Sequence, residues 1–318
     1  MSSVYPNRAR GAWIVAQRGP RASLDAFKPH GFFLEQERTL SGRIVTSATI
    51  LLINKECPWR CLMCDLWKNT LTHTVPRGAI PAQIHYALSR LDAHPEQIKL
   101  YNSGSFFDSA AIPLADYEPI CREVGNARHL IVESHPRLIG SRVLRLRDNL
   151  NGTLEVAMGL ETVHPVVLPR LNKNVDLGHF EQAAAFLRRE QIDVRAFVLV
   201  QPPFLEESEA LEWAVRSADF AFSCGASVVS LVPTRPGNGA LDRLIESGEF
   251  SPPRLATLEK SLVAALGLGR GRVFADTWDL EKFSNCPACF AQRRQRLCAI
   301  NLGQQLLPPI ACSVCDGS

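Results

Sequence analysis

The chain has 318 residues, 46% hydrophobic and 21% charged, with 35 Lys+Arg against 32 Asp+Glu. That composition excludes wholesale disorder, and a net charge of +3 is too small to mark a nucleic-acid binder by bulk charge. No uncharged apolar run reaches the roughly 18 residues of a membrane helix, and the Arg-bearing start has no signal-peptide core, so a cytoplasmic protein without membrane contact is expected.

Residues 1–43 are polar, punctuated by Gly and Pro, and read as an N-terminal extension. Arg8, Arg10, Arg18 and Arg21 precede the first acid, Asp25. Such a basic arm is expected to be solvated, with nucleic acid as the alternative partner. From 44 onward the pattern becomes regular. Runs rich in Val, Ile and Leu predict strands at 45–54, 97–102, 129–134, 153–160, 193–200 and 227–233. Their near-continuous hydrophobicity suits strands buried on both faces of a parallel sheet. Helical periodicity predicts helices beginning near Pro81 and Pro136, and over 176–191 and 206–222, the third opened by Asp176 as N-cap. Six strand–helix units are too few for a closed eightfold barrel. The fold expected is α/β, a partial (βα)6 TIM-type barrel over 44–269 with a small Cys-rich metal module over 270–318. Chemistry in such barrels gathers at the C-terminal strand ends.

The ten cysteines sharpen the functional reading. Without a secretory signal, clustered thiols read as metal ligands rather than disulfides. Cys57-x3-Cys61-x2-Cys64 follows the first expected strand directly. Three thiolates with no adjacent fourth leave a coordination position open, the mark of a reactive rather than a closed structural site. The alternative is a zinc knuckle completed by a distant ligand. Near the C-terminus, Cys286-x2-Cys289 and Cys312-x2-Cys315 are separated by 22 residues and form a four-thiolate pattern for Zn2+ or an auxiliary Fe–S cluster. Cys298 lies between them and is either a substitute ligand or a free thiol. Cys121 and Cys224 stand alone and read as small buried residues. Arg293, Arg294 and Arg296, between the two knuckles, are candidates for phosphate contacts or a solvated basic face.

On the cysteine spacing and its place after the first barrel strand, the chain resembles the radical SAM superfamily, with Met63 where an aromatic residue is usual. The resemblance implies that Cys57, Cys61 and Cys64 hold a [4Fe–4S] cluster, shielded by Trp59, Leu62, Met63 and Trp67. The fourth iron would chelate S-adenosylmethionine, whose reductive cleavage gives a 5′-deoxyadenosyl radical that abstracts hydrogen from substrate. It further implies cofactor contacts from Ser103, Gly104 and Ser105 after the second strand. Glu133 (with Ser134 and His135), Glu161 (with Thr162), Gln201, Val232 and Pro233 would add contacts at later strand ends. Asn172 and Lys173 follow nearby; Lys173 and Arg170 are expected as surface charges. The words CPWRCLMCDLWKNT, NSGSFFD and GLET…LNK are similar to the branch that contains archaeosine synthase and the Elongator catalytic subunit. That branch implies a modified tRNA base as substrate, a lyase outcome, and a flavodoxin or ferredoxin as reductant. Two other functions stay open: a radical SAM enzyme for a peptide or small metabolite with an auxiliary Fe–S cluster, and a zinc-braced RNA-binding protein without catalysis.

Overall fold

Eight strands lie side by side in chain order. The computed structural model, which describes residues 3–125 and 127–315, places β1 (Gly31–Arg38), β2 (Ile44–Leu52), β3 (Gln97–Asn102), β4 (His129–Ser134), β5 (Thr153–Glu161), β6 (Asp193–Val200), β7 (Val228–Pro233) and β8 (Arg272–Ala275) in one sheet. β1 runs antiparallel to β2; each later pair is parallel. The helices are α1 (Arg10–Ala16), α2 (Ala79–Leu88), α3 (Tyr117–Val124), α4 (Ser141–Arg147), α5 (Val167–Arg170), α6 (Leu177–Arg189), α7 (Glu207–Ser223), α8 (Ala240–Glu246), α9 (Leu255–Gly267) and α10 (Pro287–Gly303). None among the described residues is long and apolar enough to cross a membrane.

The six strands expected from periodicity are β2–β7, and they are parallel. β1 and β8 are additional. β1, GFFLEQER, is apolar in its first half and polar or charged in its second, and so lacks the continuous hydrophobicity of a doubly buried strand. β8 has four residues, too few to show a period. Asp176 caps α6 as expected, its Oδ1 accepting from His179 N at 2.8 Å. The helix expected from Pro136 is instead a 3-10 turn, Pro136–Leu138, broken at the extended Gly140 before α4 begins.

The two faces of the sheet differ. The outer face is aliphatic: Ile98 and Leu100, Leu130 and Val132, Leu154 and Val156, Val194 and Ala196, Val229 and Leu231 are buried in one core that includes residues of α2, α6, α7 and α9. The inner face carries the alternate residues, and these include buried charges: Glu37, Lys99, Glu155 and Arg195. Arg195 on β6 donates to Glu37 on β1 and to Glu155 on β5, each at 2.6 Å. Lys99 on β3 pairs with Glu35 at 2.8 Å. β1 and β6 are far apart in the strand order, so the Glu37–Arg195 bond exists only because the sheet curls into a half-barrel. The strands are buried on both faces as expected, but only one face is aliphatic: the other carries charged residues that the curl pairs with one another inside the lumen.

The seam between β1 and β8 is bridged rather than hydrogen-bonded as a ladder. Arg272 donates to Arg38 O at 2.8 Å, and Arg38 donates to Leu302 O of α10 at 3.3 Å. On the free edge of β8, the Asn301 amide pairs with Ala275 N and O, and the Gln304 amide with Val273 N and O, at 2.8–2.9 Å. Two side-chain amides one helical turn apart thus satisfy an edge that would otherwise template further strands.

Burial opposes the charge on Glu155, but Arg195 and then His129 draw its carboxyl down to about 2. Its contribution to stability is complete above the ordinary carboxylate range and is lost as pH falls toward about 2. Replacing Arg195 with Met leaves the buried Glu155 without the cation that donates to it and Glu37 with Lys99 alone. It should cost about 3–5 kcal/mol in urea denaturation at neutral pH, and that deficit should shrink on acidification. Loss of the exposed Arg243–Glu246 pair should cost no more than about 1 kcal/mol.

Candidate active site and metal centres

β2 delivers the chain to the C-terminal end of the barrel, where Cys57, Cys61 and Cys64 occupy the following loop. Side chains and backbone from distant segments hold that loop. Leu62 N donates to Leu171 O at 2.8 Å. Asn172 Nδ2 donates to Arg60 O at 2.6 Å, and Asn238 Nδ2 to Leu62 O at 2.7 Å. The Trp59 ring lies flat on His135, with centroids 3.6 Å apart and planes at 5°. His135 Nε2 faces Lys173 O at 2.9 Å. Burial, with Lys173 and Arg137 nearby, lowers its pKa to about 3, so it packs as a neutral ring.

The N-terminal arm covers this loop. Tyr5 and Ile14 are buried with Leu62 and with Leu241 and Leu244 of α8. Arg18 meets Glu56 at 2.7 Å and lies over the Trp67 ring, Arg60 meets Glu56 at 3.2 Å, and Arg21 joins the same carboxylate. Arg10 donates to Pro169 O at 2.9 Å. The expectation of a solvated basic arm is corrected at Arg10, Arg18 and Arg21: Glu56 and the backbone carbonyls of Pro169, Trp67 and Thr70 draw these cations inward.

The three thiols neighbour one another electrostatically, and burial pushes each up to about 12. A bare thiolate is therefore disfavoured here, and a bound cation is the usual means of holding it. Among the described residues, the groups whose ligand atoms converge within 4.8 Å lie elsewhere; this trio is more open than the roughly 3.8 Å edge of a single tetrahedral metal–thiolate site. The donor set fits a multinuclear cluster. Gly104 packs on Cys57: a Cβ there would sit 3.1 Å from Cys57 Cβ, and its φ of +154° favours glycine.

Lys173 was expected at the surface; it is buried and paired with Glu161. Burial works against the ammonium, but Glu161 and the Cys61 thiol more than offset it and raise its pKa. The pair occupies the space over Gly159, where a Cβ would strike both side chains. Glu161 itself adopts a φ of +67° beside a break in the β5–β6 register.

Below the loop lies a lumen cavity of about 320 Å³. Ser103, Glu133 and Val232 line it, with Asn102 and the aromatic rings of Phe33, Tyr101, Phe197 and Trp278. Burial raises the Glu133 carboxyl to about 8, although backbone N–H groups of Asn102 and Gly104 reach it. Both polar atoms of the buried Asn102 side chain lack a hydrogen-bond partner. Ser105 is turned away: its hydroxyl bonds Ser134 Oγ at 2.8 Å. Gln201 Nε2 donates to Ser251 O at 3.0 Å, leaving Oε1 unpaired. Pro233 ends β7, next to Thr234, which donates to Val200 O at 3.0 Å. Asn102, Asn238, Phe33 and Trp278 were not singled out as site residues in the sequence. Only Asn102 gave a local signal, its place in the NSGS turn.

At the far end of the chain, Cys286, Cys289, Cys312 and Cys315 converge within 4.8 Å, with Sγ–Sγ separations of 3.9 Å for Cys286–Cys312 and 3.6 Å for Cys289–Cys315. Cys298 lies outside this group, on α10. Cys121 and Cys224 are buried as expected. Arg293 pairs with Glu259 at 2.8 Å, and Arg296 donates to Pro308 O at 2.6 Å and Leu307 O at 2.7 Å. Two of the three arginines proposed for phosphate thus fasten α10 to its surroundings, and Arg294 alone is exposed.

No family model matches the chain. It is 24% identical over 246 residues to an uncharacterised protein of Methanocaldococcus jannaschii, covering 73% of this chain and 67% of that one. It is 24% identical over 228 residues to archaeosine synthase subunit beta of Methanosarcina acetivorans, covering 68% and 66%. The match to the subunit beta of Thermococcus kodakarensis is 26% over 214 residues, covering 64% and 66%. The chain thus spans about two thirds of the length of the curated relatives it matches. Among solved structures, methylornithine synthase (PylB) superposes with a TM-score of 0.54 at 13% identity, covering 80% of this chain and 69% of that one. The Elp3 of Methanocaldococcus infernus gives 0.51 at 14%, covering 69% and 59%. The chain shares its half-barrel fold with these two solved structures, and the resemblance to the radical SAM superfamily and its archaeosine-synthase and Elongator branch is borne out.

Gly159→Ala should displace the Lys173–Glu161 pair and cost about 1–3 kcal/mol in thermal or urea unfolding. Gly178→Ala, where the added Cβ meets only Asp176 Oδ1 at 3.5 Å, is the control and should leave stability close to that of the parent.

Proposed function

We propose that this chain is a radical SAM enzyme that binds a [4Fe–4S] cluster through Cys57, Cys61 and Cys64 and acts on a modified base of tRNA, in the manner of its archaeosine-synthase relatives. The observation that carries the reading is the open set of three half-buried thiols facing the Ser103–Gly104 turn and Lys173 at the C-terminal end of a half-barrel. When bound there, cluster and S-adenosylmethionine supply reductive cleavage and a hydrogen-abstracting radical. The protein's own residues do the positioning. Asn172, Asn238 and Leu171 fix the loop backbone, and the Trp59–His135 stack holds one flank. The N-terminal arm excludes water from the other side. Lys173 places a positive charge beside the thiolates. Glu133, protonated at neutral pH, offers a hydrogen-bond donor where the cavity meets the turn. Asn102, Gln201 and Val232 add contacts at neighbouring strand ends.

The lumen cavity is the substrate site in this reading, and its aromatic walls suit a planar ring. The name of the relatives, a subunit beta, supports a second subunit as partner, and an external one-electron donor of flavodoxin or ferredoxin type completes the cycle. The C-terminal thiols hold a single zinc ion. A tetrahedral ion with bonds of about 2.3 Å has sulfur–sulfur edges of about 3.8 Å, and the observed separations of 3.6 and 3.9 Å bracket that value.

Anaerobic reconstitution should give about four irons and one zinc per chain, with 5′-deoxyadenosine formed on reduction. About eight irons would replace zinc with an auxiliary cluster, and zinc alone without cofactor cleavage would overturn the enzymatic reading. Cys61→Ala should abolish cleavage while the circular dichroism spectrum holds. Cys286→Ala should lower thermal stability, because structural metal binding is part of folding energy.

A further inference from the structure

A second constellation lies at the opposite end of the barrel from the cysteine loop. His129, Glu155 and Asp193 sit near the N-terminal ends of β4, β5 and β6. His129 stands opposite Thr153, and Glu155 opposite Asp193, in the ladder register. One ligand atom from each lies within 4.8 Å of the others. His129 Nδ1 and Thr153 Oγ1 are 2.6 Å apart, which directs Nε2 inward to within 3.5 Å of Glu155 Oε2. A ring nitrogen anchored this way while the other faces carboxylates is the arrangement of metal-binding histidines.

Glu155 is fully buried. Its Oε1 accepts from Arg195, but Oε2 has no hydrogen-bond partner; Arg272 approaches it only to 3.7 Å. A buried carboxylate oxygen in that state calls for a partner. Arg43 and Arg128, which line the neighbouring cavity, pair with Glu96, and Lys99 and Arg195 pair with Glu35, Glu37 and Glu155. A cavity of about 240 Å³, lined by His129, Thr153, Asp193 and Arg272 among others, adjoins the group and gives an entry path.

We propose that His129 Nε2, Glu155 Oε2 and an Asp193 carboxylate oxygen bind a divalent first-row metal ion that cross-links β4, β5 and β6. An ion about 2.1 Å from each ligand needs ligand atoms roughly 3.0–3.4 Å apart. The Nε2–Oε2 pair is already near that spacing, and the half-buried Asp193 has the freedom to turn in. The donor set, one imidazole and two carboxylates, suits Mn2+, Fe2+ or Zn2+ rather than the soft ions that thiolates select.

The test uses the full chain with its thiolate sites loaded and Mn2+ alone as probe, read by loss of the hyperfine signal of aqueous Mn2+. About one Mn2+ should be retained per chain, with a rise in the thermal midpoint. Asp193→Asn and His129→Gln should each weaken retention about tenfold or more and remove the metal-induced rise, with the Asp193→Asn midpoint near the parent's when Mn2+ is absent and the His129→Gln midpoint lowered by loss of its Glu155 pair. Thr153→Val, exposed and outside the ligand set, should weaken retention without unfolding the protein and serves if either ligand variant misfolds. No retention at millimolar Mn2+, or retention equal in the parent and all folded variants, would overturn the site. The second outcome would mean adventitious surface binding, and the first would leave His129 as an ion-pair partner of Glu155. Neither result bears on cofactor cleavage at the cysteine loop.

Discussion

The Glu37–Arg195–Glu155 chain of ion pairs is the constraint on which the rest of the structure depends. A sheet of parallel strands covered by helices on one side can lie open or curl. Here the inner face is charged, and Arg195 and Lys99 find partners beyond the neighbouring strand. Arg195 reaches β1 and β5 at once, and Lys99 reaches β1 from β3. Separating these strands would strand several ions in a low-dielectric interior, where removal of one partner is costly. The antiparallel β1 is therefore integral to the half-barrel: it supplies the acids that neutralise cations on β3 and β6.

The curl fixes the geometry at both rims. At the C-terminal end it brings the loop after β2, the NSGS turn after β3, His135 after β4 and the Lys173–Glu161 pair after β5 to one place. The helices of the outer face come from segments between these strands, so the aliphatic core and the loop positions are set together. The N-terminal arm and α8 then close over the cysteine loop through Tyr5, Ile14 and Leu241. At the other edge, α10 satisfies β8 through Asn301 and Gln304. The convergent C-terminal thiols stand at its start, Cys286 as N-cap and Cys289 in the first turn. A metal bound there would brace the helix that blocks the open edge, which would link a distant cysteine cluster to the integrity of the barrel.

The contrast between the two cysteine groups is chemical as well as geometric. The C-terminal four are close enough for one ion, and their contacts with one another lower Cys286 to about 7 while raising Cys315 to about 12. The N-terminal three are held apart, half-buried, and pushed up to about 12, with an ammonium group from Lys173 nearby. One arrangement is suited to a closed structural site and the other to a larger centre with an open position.

The sequence by itself determined the repeating unit and the ligands. Continuous aliphatic runs mark β2–β7 because their outer faces must be buried, and the C-x3-C-x2-C and paired C-x2-C spacings identify the thiols as ligands, although only the fold brings the two C-x2-C pairs together. Tertiary structure decided what depends on distant partners. The inner-face residues Glu37, Lys99 and Arg195 look like solvent-facing alternation until the curl pairs them. Lys173, Arg18 and Arg21 look like surface cations until Glu161 and Glu56 meet them. Asn238 and Trp278 carry no local pattern, since their roles arise from contacts with segments far away in the chain. Periodicity and ligand spacing are local quantities that a sequence displays directly; charge compensation across a lumen is not, because it exists only after the strands have closed.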